Sequence, residues 1–322
     1  MIPAADRLTI CFAHVAYQMQ ARFAARNTGI TSFEVRDRAA LEARIGEADV
    51  LVVSGLWRNE VAAMAPKLGF IQSIGAGTDQ FDRAVLAARG IRLASAAGVN
   101  ARAVSEHAMS LILALARRLP EARDNQARKF WRGMIGDLAQ REDELQGKTL
   151  VVVGLGRIGG RLAQIAKAFD MRVIGVRRDP AGGRGAADEV HALSALPGLL
   201  PQADFVALTC PLTPETTNLI DAAALAAMKP SSYLVNCARG RVVDEPALVA
   251  ALHAGTIAGA GIDVTWEEPL PPESPLWTAP GAFITPHTAG ETRRYEDNVL
   301  DILMENLGRM WRGEAALMNQ VV

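Results

Sequence analysis

Three short stretches of this 322-residue chain combine polar side chains able to move protons or hold anions with small residues that let backbones approach closely. They are N-C-A-R-G at 236–240, D-V-T-W-E-E-P-L at 263–270 and P-H-T-A-G at 286–290. Between them they offer an imidazole that titrates near neutrality (His287), neighbouring carboxylates (Glu267, Glu268) and a permanently charged guanidinium fork (Arg239). Singly, each has a plain structural reading: a satisfied loop histidine, a surface acid, an ion-paired arginine.

A fourth stretch, V-V-V-G-L-G-R-I-G-G at 151–160, sets Gly154, Gly156 and Gly159 in G-x-G-x-x-G spacing. In a chain with 28 glycines that spacing alone is weak evidence. Its context is stronger, because a strand at 150–153 precedes it, a helix over 161–169 follows and a second strand at 171–176 completes a βαβ unit. Such glycines permit a tight turn, so that amides at a helix N-terminus face a pyrophosphate and the helix dipole favours its charge. The alternative is a merely tight strand-to-helix turn. Where an NAD site usually carries an acid for the ribose hydroxyls, this chain has Arg177 and Arg178. Guanidinium forks suit a 2′-phosphate, so NADP(H) is the favoured cofactor. NAD(H) stays open if the arginines are only solvated and Asp179 reaches the ribose from a shifted register.

These loops need a scaffold that brings distant segments to one edge, and the apolar pattern supplies one. Short aliphatic runs at 8–15, 33–35, 49–54, 70–74 and 91–94 alternate with amphipathic stretches. The rhythm resumes at 148–153 and 171–176 and around Phe205, Tyr233, Ile257 and Phe283. The runs are nearly continuous in apolar character, as in parallel strands covered on both faces. Helices are expected over 100–118, stopping before Pro120, and over 292–310. Chain length predicts about two domains, with a boundary near 96–102.

The composition is that of a globular protein: 50% hydrophobic and 21% charged residues, with a net charge of −1. That balance argues against nucleic acid as the main partner. No run without Asp, Glu, Lys or Arg is longer than 246–262, which holds a histidine and three glycines and falls short of a membrane span. Residues 8–21 read as a strand entering a helix, not a signal-peptide core, since they include His14, Gln18 and Gln20. Three scattered cysteines, Cys11, Cys210 and Cys237, indicate neither a disulfide framework nor a zinc site, and a reducing cytoplasm is the expected location.

Together with C-P-L-T-P-E-T at 210–216 and G-A-G-T-D at 75–79, the glycine run and the three polar loops resemble the D-isomer-specific 2-hydroxyacid dehydrogenases, the glyoxylate/hydroxypyruvate reductases among them. The likeness covers nearly the whole chain. It implies that His287 is the general acid/base at the substrate oxygen, that Glu268 orients and charges it, and that Arg239 binds the substrate carboxylate and polarises the carbonyl. An acid–base group, its charge partner and an oxyacid anchor are what 2-hydroxyacid redox chemistry requires, and no metal-ligand spacing competes. By the same resemblance Ile74, Gly75, Ala76 and Gly77 form a carboxylate cradle, and Asp263 receives the nicotinamide carboxamide. Val104, Arg157, Ile158, Cys210, Pro211, Thr216, Cys237 and Ala238 match positions along the cofactor. His14, His107, His191 and His253 have no motif around them and read as satisfied or surface histidines.

The implied architecture is α/β: two doubly wound parallel-sheet domains, a Rossmann cofactor domain (99–289) inserted into a flavodoxin-like substrate domain (1–98 plus 290–322). Chemistry is then expected in a cleft between them, with hinges near Gly98 and Gly290, and a homodimer is the family expectation. Specificity is expected from residues 54–58, where Trp57 either caps a pocket or simply packs, and from Arg293 and Arg294. Two rivals stand beside glyoxylate or hydroxypyruvate reduction. One is an NAD-dependent 2-hydroxyacid or phosphite dehydrogenase of the same family, although the cradle lacks a lysine suited to phosphite. The other is a non-enzymatic dinucleotide-sensing protein like the corepressors of this fold, against which the lack of extensions beyond the enzyme core counts.

Overall fold

The structure, a computed structural model, describes residues 2–322. The chain divides into two compact units, Met1–Asn100 with Thr292–Val322, and Ala101–Glu291. Each is a parallel sheet with helices on both faces.

In the first unit β1 (Thr9–Ala13), β2 (Thr31–Val35), β3 (Val50–Val53), β4 (Phe70–Ser73) and β5 (Arg92–Ala94) form a sheet in the order β2-β1-β3-β4-β5. This is the flavodoxin-like order. Alternate residues of β1 enter opposite cores: Ile10 and Phe12 pack on one face, Cys11 and Ala13 on the other. That two-sided burial is why the strand reads as a continuous apolar run. Helices α1 (Met19–Ala24), α2 (Arg38–Arg44), α3 (Val61–Met64) and α4 (Arg83–Ala88) connect the strands. The C-terminal helix of the chain, Tyr295–Trp311, returns to this unit and buries Val299, Leu300, Leu303 and Leu307 against β1 and β3. The C-terminal residues then shield the edge strand β5, with Val321 N–H donating to Leu93 O at 2.8 Å, and so remove a free sheet edge. Trp57 is fully buried against Phe81, its indole N–H donating to Asn59 Oδ1 at 3.0 Å, so it packs the core and does not cap a pocket.

The second unit holds seven parallel strands: β6 (Thr149–Val153), β7 (Arg172–Val176), β8 (Glu189–His191), β9 (Phe205–Leu208), β10 (Tyr233–Asn236), β11 (Gly259–Ile262) and β12 (Ala282–Ile284). Their order is β12-β11-β10-β9-β6-β7-β8, a Rossmann sheet extended by one strand. Its helices are α5 (Ala101–Ala116), α6 (Leu119–Ala127), α7 (Arg157–Ala168), α8 (Leu196–Leu199), α9 (Ala222–Ala227) and α10 (Glu245–His253), which makes the C-terminal helix α11.

The structure corrects three readings. Helix α5 stops at Ala116, but Pro120 opens α6, in whose first turn a missing N–H costs no hydrogen bond. Helix α7 starts at Arg157 and not at 161, so Gly159 lies inside its first turn. Strand β8 was not foreseen, because its three residues are only half-buried and carry no apolar run. Among the described residues no helix is long and apolar enough to cross a membrane.

Candidate active site

Arg239, Glu268 and His287 leave adjacent strands at the carboxyl edge of the second sheet. The register pairs Asn236 of β10 with Ile262 of β11, and Ile262 with Ile284 of β12. Parallel neighbours lie about 4.8 Å apart, so three loops far apart in sequence begin side by side.

His287 Nδ1 lies 2.7 Å from Glu268 Oε2, and Glu268 Oε1 accepts the Thr265 amide at 3.1 Å. A carboxylate only accepts, so Nδ1 carries the proton and Nε2 is the nitrogen left to face a substrate. Both side chains stay partly open, at 47% and 38% exposure. The bond to Glu268 holds the histidine above its ordinary 6.5, aided by the charges of Glu268 and Asp263 and opposed by burial and Arg239. Burial pushes the Glu268 carboxyl up, but the bond and charge of His287, the Thr265 amide and Arg239 together bring it below the usual carboxylate value.

The His287 backbone is left-handed, with φ 54, a region that few side chains adopt. Its N–H is held by Asp263 O at 2.8 Å and Thr285 O at 3.0 Å. The Asp263 carboxylate is buried; its Oδ1 accepts the Thr285 hydroxyl at 2.6 Å and the Thr288 amide at 3.1 Å, and Oδ2 accepts the Ala289 amide at 3.2 Å. Asp263 therefore braces the loop on both sides of the histidine.

Arg239 is exposed, with Nη1 donating to Ala238 O at 2.7 Å. Asn236 pins its turn, donating through Nδ2 to Arg239 O at 3.1 Å and accepting the Ala238 amide at 3.0 Å. The next residue must be glycine: a Cβ on Gly240 would stand 2.0 Å from Thr265 O and 2.1 Å from its carbonyl carbon, backbone that cannot step aside. Sequence reasoning missed Asn236, Thr265 and Thr285. The available signal was Asn236 itself, an amide side chain at a strand end, where such groups commonly bond the backbone that follows.

The glycine turn follows β6. Gly154 has φ +101, and a Cβ there would lie 2.5 Å from the Cys210 N, so the end of β9 packs directly on the turn. At Gly156, the N-cap of α7, a Cβ would meet nothing within 4 Å, and no side chain caps the helix. The first-turn amides, that of Ile158 among them, thus form a backbone cradle of the right chemistry for a pyrophosphate. Along the sheet edge come Asp263 after β11, Cys210 after β9, the glycine turn after β6 and Arg178 after β7. This is the order of nicotinamide, pyrophosphate and adenosine ribose in a dinucleotide, so the residues present fit that group.

Several expected cofactor residues are otherwise occupied. Arg177 Nη1 donates to Gly182 O at 3.0 Å and Gly183 O at 3.1 Å, tying its own loop, while Asp179 caps the Ala181 amide at 3.0 Å. Arg178 is the exposed arginine of the two. Thr216 staples the 210–216 segment, donating to Pro211 O at 2.7 Å and accepting the Thr213 amide at 2.8 Å; Pro211 itself is exposed. Val104, Cys210, Cys237 and Ala238 are buried in the core. Burial pushes the Cys210 thiol up to about 11 and raises Cys237 as well.

In the first unit the turn after β4 has its carbonyls drawn inward. Tyr295 Oη donates to Ile74 O at 2.8 Å, and Gly75 O accepts Ser73 Oγ at 3.0 Å and the Ala96 amide at 3.1 Å. The Ile74 amide is committed to Val53 O, so it is no anion donor. Among the described residues the amides of Gly75, Ala76 and Gly77 make no hydrogen bond. His14 is satisfied, its Nδ1 accepting the amides of Ala16 and Tyr17. His107 contacts Thr285.

A family model described as D-isomer specific 2-hydroxyacid dehydrogenase, NAD binding domain, matches residues 109–289. A D-3-phosphoglycerate dehydrogenase of Methanocaldococcus jannaschii is 37% identical over 298 residues, 90% of this chain and 53% of that protein. The chain thus spans about half the length of that relative. A glyoxylate reductase of Korarchaeum cryptofilum is 36% identical over 82% of this chain and 80% of its own length. Among solved structures, an NADPH-dependent glyoxylate/hydroxypyruvate reductase from Sinorhizobium meliloti, in complex with NADP and malonate, is 29% identical; the match covers 98% of this chain and 97% of that one with a TM-score of 0.81.

Proposed function

The chain belongs to the D-isomer-specific 2-hydroxyacid dehydrogenase family, and from that premise we propose that it reduces a small 2-oxoacid to the D-2-hydroxyacid with NADPH. Glyoxylate and hydroxypyruvate are the first candidates. The observation that carries this reading is the 2.7 Å pair of His287 and Glu268, with the charge of Arg239 acting on both.

In this mechanism Arg239 holds the substrate carboxylate and draws electron density from the carbonyl. His287, kept protonated by Glu268, gives its Nε2 proton to the carbonyl oxygen, and in the reverse direction the neutral ring removes it; such transfer contributes on the order of 10²- to 10⁴-fold. The nicotinamide supplies the hydride when bound. Asp263 offers Oδ2 to its carboxamide, Gly154, Gly156 and Gly159 let the α7 amides reach the pyrophosphate, and Arg178 takes the 2′-phosphate. The amides of Gly75, Ala76 and Gly77 make the first unit a carboxylate-binding element.

The finer assignments rest on named groups. NADPH over NADH rests on exposed Arg178 and on Asp179 being spent as a cap. A homodimer rests on Phe130, Trp131, Met134 and Leu138, large apolar side chains exposed on one segment of the second unit, a pattern that marks association surfaces. Trp131→Glu is expected to yield monomers in sedimentation. A cytoplasmic location fits three free, buried cysteines.

The deciding experiment is a panel of 2-oxoacids, including the phosphorylated substrate class of the 37% identical relative, assayed with NADPH and NADH separately. Turnover of glyoxylate or hydroxypyruvate with NADPH is the expected result. No turnover of any member would transfer the site to dinucleotide sensing, and preference for NADH would overturn the Arg178 assignment.

A further inference from the structure

We propose that His107 is a positioning residue for the reaction proposed above, on which this inference rests, acting through the Thr285 hydroxyl and the Asp263 carboxylate on the loop that bears His287. His107 lies in α5, with Nε2 2.9 Å from Thr285 Oγ1 and 3.5 Å from Asp263 Oδ1. Its ring is 21% exposed. No motif surrounds it in sequence, and it touches neither His287 nor Glu268 by any hydrogen bond in the structure.

Proton accounting gives the chain a direction. The Asp263 carboxylate only accepts, so the single hydroxyl proton of Thr285 goes to Oδ1 at 2.6 Å. Thr285 Oγ1 then has only lone pairs for His107, and Nε2 must be the protonated nitrogen. The relay His107 Nε2–H to Thr285 O–H to Asp263 Oδ1 leaves Oδ1 crowded, since it also accepts the Thr288 amide. Oδ2 holds only the Ala289 amide and is the oxygen with capacity to spare. His107 therefore fixes the Thr285 hydroxyl on Oδ1, and with it which carboxylate oxygen holds the Thr288 amide and which holds the Ala289 amide.

The anchor is rigid. Helix α5 buries Val104, Ala108 and Leu111 on the face adjoining His107, and it packs against β10 and β11, the strands that lead to Arg239 and Asp263. A histidine on such a helix fixes the Thr285 hydroxyl more firmly than a loop residue could. Without that donor the hydroxyl is free to turn, the Asp263 carboxylate can rotate, and the Thr288 and Ala289 amides that follow His287 loosen together.

The test compares His107→Leu, His107→Gln, Thr285→Val and the Leu/Val double variant in kcat, KM and the titration of His287 followed by NMR with isotope-labelled histidine. Leu and Val are each expected to lower kcat about tenfold with KM for the oxoacid changed less than about threefold. The double variant should be no worse than the poorer single one, because both cut the same relay. Gln, whose amide nitrogen reaches where Nε2 does, should recover most of the loss. His107→Leu should also lower the His287 midpoint, as the loop and its contact with Glu268 relax. Wild-type kcat and titration in His107→Leu, additive losses in the double variant, or Gln no better than Leu would each overturn the inference. If the wild-type protein turns over no 2-oxoacid, the functional reading fails by itself, and the His287 midpoint in His107→Gln and His107→Leu still decides this one. If His107→Leu does not fold, Thr285→Val and His107→Gln carry the comparison.

Discussion

Replacing Glu268 by Gln keeps the shape of the partner and removes its charge, which isolates what the carboxylate does for His287. The amide can still accept from Nδ1 and, turned the other way, cannot, so orientation is weakened and the imidazolium loses its counter-charge. A hydrogen bond to a charged group contributes about 1.5–3 kcal/mol, and a neutral one about 0.5–1.5 kcal/mol. Both side chains are more than a third exposed, so solvent screening puts the charged bond at the lower end of its range. The difference is then about 1 kcal/mol, or on the order of fivefold in the population of the active form.

The sign follows from the direction of the shift. The histidine is held above 6.5, so wild-type reduction, which needs the imidazolium, persists past 6.5 and declines as pH rises through the raised value. In Glu268→Gln that decline moves down toward 6.5. The deficit is therefore small well below 6.5 and grows with pH, while oxidation, which needs the neutral ring, begins to rise at lower pH than in the wild type. The stability contribution of the pair obeys the same linkage: on the histidine side it is complete below 6.5 and lost as pH rises through the raised value; on the Glu268 side it is lost as pH falls through the lowered carboxyl value. The assay is kcat/KM for reduction across pH in both proteins. A descending limb at the wild-type position, or a loss equal at every pH, would refute the electrostatic role and leave only a steric one.

Other outcomes follow from single contacts. Gly240→Ala must force the Thr265 backbone away, so kcat/KM should fall at least about a hundredfold and stability by about 1–3 kcal/mol, measured by kinetics and thermal melting; a fully active variant would refute the close approach. Arg178→Ala should weaken NADPH about tenfold and leave NADH unchanged, whereas Arg177→Ala should weaken both by freeing the loop at Gly182 and Gly183; binding titrations separate the two. Cys11, pushed up to about 12, and Cys210, up to about 11, should resist iodoacetamide in the native protein at neutral pH, along with buried Cys237, and all three should react once urea unfolds the chain.

What was legible in the sequence is what repeats locally. Strands buried on both faces leave continuous apolar runs, so β1, β3, β4, β6 and β7 could be read to within a few residues, while half-buried β8 left no trace. Helix α6 was hidden because its exposed, polar residues carry no apolar stripe and Pro120 signals a stop and a start equally well. Arg239, Glu268 and His287 were legible only as members of motifs, since nothing local distinguishes a catalytic arginine from a paired one.

Residue types and their spacing determined the two-sheet α/β plan and the groups available for chemistry, because periodicity and turn-forming residues act over a few neighbours. Tertiary structure alone decided which groups are free to act. It spent Arg177 on two loop carbonyls and Thr216 on its own turn, buried Trp57, and joined His107 to Thr285 across 178 positions of sequence, and through Thr285 to Asp263. A hydrogen bond needs its partners within about 3 Å, and only the register of parallel strands and the packing of helices on the sheet bring such distant residues that near.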